Sequence, residues 1–205
     1  MVEGGGLENR FPVLRNGGSN PSPSATYAFL KGVNIGGHKK IPMAALKKAF
    51  GSMGFKNVRT VLVSGNVVFE APGTDPPGGG AISRGLEKAF GFPVMVILRT
   101  AAELEAMVAA DPFRGIPGGP TIKPCVTFLP DKKPGRPRLK LPEPEKGIRI
   151  VRVTPGEVFS IVCYGEDGRT PALMSYVGKV FGTDGTTRTW GTVLKLVGNL
   201  PSGSR

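Results

Sequence analysis

The sequence predicts an α+β fold, on three observations. Short apolar runs of strand length recur along the chain, stretches with apolar residues at helical spacing lie between them, and several neighbouring strands are separated by only a tight turn. In the first half the order reads β-α-β-β-α-β, the ferredoxin-like arrangement. At 205 residues the chain suffices for one domain with a sizeable core, or for two small ones sharing an interface.

Taken in order, residues 1 to 25 carry Gly4, Gly5, Gly6, Gly17 and Gly18 with Pro12, Pro21 and Pro23 and show neither period, so a disordered tail is expected. Glu3 and Glu8 argue against a transit peptide. Thr26 to Leu30 reads as a strand, and Pro42 to Met53 as a helix with Met43, Leu46, Phe50 and Met53 on one face and Gly54 ending it. Strands follow at Val58 to Val63 and Val67 to Glu70, joined as a hairpin by Ser64-Gly65-Asn66. After the Pro/Gly loop from Pro72 to Gly80 come a helix at Ala81 to Phe90 and a buried strand at Val94 to Leu98, which close a first subdomain over 26 to 99.

The second subdomain, 100 to 205, reads as a helix at Ala101 to Ala109, a strand at Cys125 to Leu129, and a hairpin of Ile148 to Val153 with Glu157 to Cys163. Two helices close the chain. Thr170 is the expected N-cap of the first, with Pro171 at its first position and Leu173, Tyr176, Val177 and Val180 as its buried stripe. The second is expected to start near Thr189, with Trp190, Val193, Leu194 and Val197 facing inward. The second half resembles the first only loosely, and no internal sequence repeat is evident.

Lys and Arg number 27 against 15 Asp and Glu, a formal net charge of +12, so polyanions are plausible partners. Cys125 and Cys163 lie inside apolar runs without metal-ligand spacing and read as reduced core residues; no metal or cofactor is expected. No apolar stretch approaches the about 20 residues of a membrane span, so no membrane partner and a cytoplasmic location are expected.

Four segments offer polar chemistry. The first is Lys31-Gly32-Val33-Asn34-Ile35-Gly36-Gly37-His38-Lys39-Lys40, a glycine-rich loop feeding a helix N-terminus, where backbone amides and lysines suit an anion. Gly32 to Gly37 mimics the outer glycines of a P-loop, but His38 stands where the lysine should be and no Ser or Thr follows, which excludes an NTPase. His38 is the single histidine, which disfavours Ser-His-Asp, Cys-His and multi-histidine metal sites. The bland alternative is a turn with solvated lysines.

Ser64-Gly65-Asn66 offers hydroxyl and amide groups to a ligand, although the same residue types favour tight turns. Thr186-Thr187-Arg188-Thr189-Trp190 reads as a second anion seat at a helix N-terminus, with Thr189 alternatively a plain N-cap and Trp190 in the core. The stretch from Lys132 to Lys140 holds Lys132, Lys133, Arg136, Arg138 and Lys140 in an extended, proline-rich segment that could follow a phosphate backbone or be a solvated loop. Around Gly135-Arg136-Pro137 it is similar to an AT-hook, with Pro134 where an arginine is expected. No acidic pair with clear spacing supports hydrolase chemistry.

Together, Phe29 to Gly37, Ile41-Pro42-Met43, Val58-Arg59-Thr60, Ser64 to Phe69 and Thr186 to Trp190 with Thr192-Val193 and Lys195-Leu196 resemble the domain-of-unknown-function family numbered 1697, over roughly residues 26 to 200. The resemblance implies two ferredoxin-like subdomains with antiparallel sheets and packed helices, and implies no established activity. Lys31, Val63 and Thr189 depart from the arginine, glutamine and asparagine common at these places in the family. Each departure changes a polar group at a candidate site, and Lys cannot reproduce the planar fork of Arg.

These readings lead to an expected binding protein for a phosphate-bearing small molecule or nucleic acid, with Lys31, Asn34, Gly36, Gly37, Lys39, Ser64, Gly65, Asn66, Thr187 and Arg188 as ligand-binding residues. The alternatives are an enzyme acting on a small phosphorylated or nucleotide-like substrate, and a protein-interaction module. Oligomeric state is not legible.

Overall fold

The computed structural model describes residues 25–35, 39–72, 78–116, 119–130, 144, 146–164, 171–182 and 184–198. Residues 1–24 of the expected tail, the Gly36-Gly37 turn, the basic 132–140 segment and the Thr170 cap lie outside the described residues, and the last residue of that expected tail, Ala25, belongs to the first strand.

Strand β1 (Ala25–Leu30) is buried at every position because it pairs on both edges, with β3 (Asn66–Glu70) and β4 (Val96–Thr100), and is covered on both faces. Its apolar run, broken only by Thr26, suits that place. With β2 (Lys56–Val61) outside β3, the sheet has the order β2-β3-β1-β4 and is antiparallel throughout. That is the ferredoxin-like arrangement. Helices α1 (Met43–Ser52) and α2 (Gly79–Phe90) cover one face, burying Leu46, Phe50, Ile82 and Leu86 against Val67, Phe69 and Val96.

A second antiparallel sheet repeats the plan. Strands β5 (Ile122–Phe128), β6 (Ile148–Val153), β7 (Glu157–Cys163) and β8 (Thr186–Thr189) stand in the order β6-β7-β5-β8. Helix α4 (Leu173–Phe181) packs Leu173, Tyr176 and Val177 on its outer face. Each sheet's last strand runs directly into a helix, β4 into α3 (Ala101–Ala109) and β8 into α5 (Trp190–Val197). Both helices share one core with the inner faces of the two sheets, where Tyr27, Phe29 and Ile97 meet Val126, Phe128 and Phe159. Rings Phe29 and Phe128 stack at 4.0 Å between the halves.

Four local expectations are corrected. Residues Thr186–Thr189 form a strand before the last helix, because β5 offers them an open edge, Phe128 facing Thr186 and Cys125 facing Thr189. Helix α4 has Ala172 as its N-cap and no side-chain capping bond. Cys163, at the end of β7, is exposed, whereas Cys125 is buried, and both are free thiols. In α5 Leu196 is buried and Leu194 only half-buried, because the helix lies between two sheets and buries a wider stripe.

Candidate functional site

Arg188 projects from β8 into the joint between the sheets and is buried. Its Nε donates to Asn66 Oδ1 at 2.6 Å, Nη1 to Thr186 Oγ1 at 2.7 Å and Thr187 O at 2.9 Å, and Nη2 to Leu30 O at 2.8 Å and Ser64 O at 3.0 Å. The guanidinium lies 5.7 Å from the centroid of the Phe29 ring. Burial pushes its pKa down to about 10, so it is charged at neutral pH while every acceptor named here is uncharged. All three nitrogens are committed to protein acceptors, which makes Arg188 a tie between halves instead of the anion seat expected at this position.

Arg99 does the same in the opposite direction. It projects from β4 of the first sheet, its Nε pairs with Glu157 Oε1 at 2.7 Å, and its Nη2 donates to Leu129 O at 3.1 Å and Gly156 O at 2.7 Å. It lies 5.5 Å from the Phe128 centroid. Arg99, Phe128, Leu129, Gly156 and Glu157 thus stand to each other as Arg188, Phe29, Leu30, Gly65 and Asn66 do. Even the backbone bond under each guanidinium recurs, Leu30 N to Gly65 O at 2.9 Å and Leu129 N to Gly156 O at 2.8 Å. The fold is an internal duplication with two reciprocal arginine ties.

The glycine-rich loop is shaped by Asn34. Its Nδ2 donates to Ile41 O at 3.0 Å and Val63 O at 2.9 Å, and its Oδ1 accepts from Ile41 N at 2.8 Å. Asn34 therefore closes the loop and fastens it to the β2–β3 turn, with both amide ends occupied. Its φ is 57°, and Lys39 and Leu62 also take positive φ, a left-handed backbone that is costly for side chains larger than glycine. Gly65 is buried at φ +70°, and a Cβ there would come within 2.3 Å of Val33 Cγ2.

Lys31, Asn34, Ser64, Gly65, Asn66 and Arg188 do converge at the end of β1, but most of their polar groups face one another. Ser64 Oγ accepts from Asn66 Nδ2 at 3.0 Å, and the same Nδ2 donates to Val61 O at 2.9 Å. Lys31 pairs with Asp184 at 2.8 Å. Thr187 points away, bonding to Thr127 Oγ1 at 2.7 Å, since alternate residues of a strand face opposite sides. What stays open is Lys39, which reaches Pro93 O at 3.1 Å yet is exposed, and the exposed Lys40, both before α1. The α1 start has no side-chain cap and no acid in its first turn. Among the described residues, the exposed large hydrophobics are Ile35, Leu62 and Val63, on the two loops that Asn34 joins. Sequence reasoning missed this apolar tip and the Arg99 tie; the pairing of an Arg with a following Thr N-cap in both halves was the available signal.

Residues 24–159 match the family described as protein of unknown function, DUF1697. The chain belongs to this family. The DUF1697 match takes in the Asn34 loop and the Ser64-Gly65-Asn66 turn and ends at Phe159, before β8. A solved structure of a conserved bacterial protein from Streptococcus pneumoniae is similar in fold, at 20% identity and a TM-score of 0.60, covering 86% of this chain and 98% of that one. No curated protein matches the sequence. Among the described residues no helix is long and apolar enough to cross a membrane.

Proposed function

We propose that the protein is a non-catalytic binding protein for a phosphate-bearing partner, and that the face it uses is the loop side of the first sheet. The observation that carries this reading is the uneven charge: residues 25 to 100 hold ten Lys and Arg against three Asp and Glu. On that half the exposed Lys39 and Lys40 precede a helix start that has no side-chain cap, beside the aliphatic tip of Ile35, Leu62 and Val63. Such a surface attracts polyanions at long range and loses them as salt rises. The enzymatic alternative relied on Asn34, Ser64, Asn66 and Arg188, whose side chains serve internal hydrogen bonds.

The test is elution from a phosphocellulose column. Lys39→Ala with Lys40→Ala is expected to elute at lower salt than the unmodified protein and to show a shallower salt dependence for oligonucleotide binding. Unchanged elution and an unchanged slope would reject the proposal. Thermal shifts with an oligonucleotide and with a panel of phosphorylated metabolites distinguish the two partner classes.

A further inference from the structure

Beside the Arg99 tie, between α3 and the β6–β7 turn, lies a cavity of about 410 Å³. Small-molecule sites commonly run from about 300 to 1,000 Å³. The walls are apolar: Ala106, Met107 and Ala110 from the α3 side, Pro112 just beyond it, and Phe159 from β7. None of these side chains is among the expected site residues.

Three charged residues line the cavity, and their pairing decides what it can accept. Glu157 is spent on the joint: its carboxylate accepts from Arg99 Nε at 2.7 Å and from the Thr154 hydroxyl. Glu103 is spent on the helix: it accepts from Thr100 N at 2.8 Å in a capping box, close to the positive end of α3. Arg152 is exposed, and among the described residues its side chain makes no hydrogen bond or ion pair. Both carboxylates are thus engaged within the protein, and the side chain of the three that has no such partner is the Arg152 guanidinium, at the edge of an apolar hollow.

We infer that this cavity binds a small amphipathic acid, its apolar body against Met107 and Phe159 and its single anionic head on Arg152. An amine of the same shape would meet Arg152 without an available carboxylate, and a neutral homologue would fill the walls but forgo the charge-assisted hydrogen bond. The site is separate from the loop face of the first sheet. Neither reading depends on the other.

The test uses the full chain with anilinonaphthalene sulfonate as a fluorescent probe, displaced by octanoate or by octanamide. One saturable site is expected, with octanoate displacing the dye at about tenfold lower concentration than octanamide. Ala106→Trp, on the exposed side of α3, should fill the cavity and abolish the site, with circular dichroism reporting an intact fold. Arg152→Gln should retain dye binding weakly and bring octanoate and octanamide to the same potency. Lys39→Ala with Lys40→Ala should leave all of this unchanged. Dye binding that survives Ala106→Trp, or equal displacement by acid and amide in the unmodified protein, would overturn the inference, as would loss of the site in the Lys39 and Lys40 variant.

Discussion

At the scale of single residues, the two arginines explain why so many polar groups with the look of a ligand site bond to one another. A buried guanidinium must have its N–H groups satisfied, and carbonyls of Leu30, Ser64 and Gly65 cluster around Arg188 because they have it to accept from. Replacing it by Lys keeps the charge and loses the fork, leaving several of these acceptors without a donor. Arg188→Lys is expected to cost roughly 3 kcal/mol of stability in urea titration while leaving phosphocellulose retention nearly unchanged. Tyr27 gives a pH prediction from the same core. Burial raises its pKa to about 12 from the ordinary 10.0, and its hydroxyl donates to Leu196 O at 3.3 Å. Because the folded pKa is raised, its contribution is full below the unfolded value and fades as pH climbs through the folded one. In that window the unfolded chain has released a proton that the native one retains, and stability falls by up to about 1.4 kcal/mol per pH unit. Tyr27→Phe should reduce the loss of urea midpoint between pH near 10 and pH near 11; an unchanged loss would assign it to other groups. Cys125 also belongs here, since burial pushes its thiol up to about 11. Iodoacetamide should modify the exposed Cys163 in the native protein and reach Cys125 only on unfolding.

At the scale of elements, the duplicated strand-to-helix junction is the feature that organises both halves. Thr100 caps α3 with Glu103 in a reciprocal box, and Thr189 caps α5 by accepting from Thr192 N at 3.4 Å, each directly after a tying arginine. Thr189→Ala should cost about 1 kcal/mol, and Thr100→Ala somewhat more because the Thr100 hydroxyl also donates to Glu103, while the bond from Thr100 N to Glu103 is kept; thermal denaturation of both variants checks the order. Much of the element order was legible in the residues: α3 places Ala101, Leu104 and Met107 on one buried face, the Thr154-Pro155-Gly156 turn marks the β6–β7 hairpin, and Thr189 announces its helix. Strand β8 was not, because Thr186 to Thr189 has no apolar alternation and owes its conformation to pairing with β5, a contact about 60 residues away in sequence. The duplication was hidden for the same reason. Asn66 in one half and Glu157 in the other play one part, since a guanidinium accepts either an amide oxygen or a carboxylate as its partner. The arginine fork thus constrains geometry much more than residue type. Of the candidate site, the convergence of the loop, turn and β8 segments was foreseeable from their shared place at strand ends. Its internal consumption by hydrogen bonds was not.

At the scale of the whole molecule, each half lends the other what it lacks. The inner face of either sheet is apolar, and α3 and α5 lie in the seam together with it, so separating the halves would expose Tyr27, Phe29, Phe128 and Phe159 at once. It would also strip the buried Arg99 and Arg188 of the carbonyls that solvate them. Both penalties fall due in the same step, which makes independent unfolding of one half unfavourable. The single tryptophan is placed to report on it. Trp190 sits in the seam with its ring 5.3 Å from Phe113 and 6.5 Å from Phe159. Its fluorescence follows the interface, while far-UV circular dichroism follows the helices and sheets of both halves. In guanidinium titrations the two signals should trace one transition with a common midpoint, and Arg99→Lys should shift both midpoints downward together. A Trp190 transition at distinctly lower denaturant than the dichroism would mean that the seam opens while the sheets persist, and that the two ties fasten halves that are stable without them.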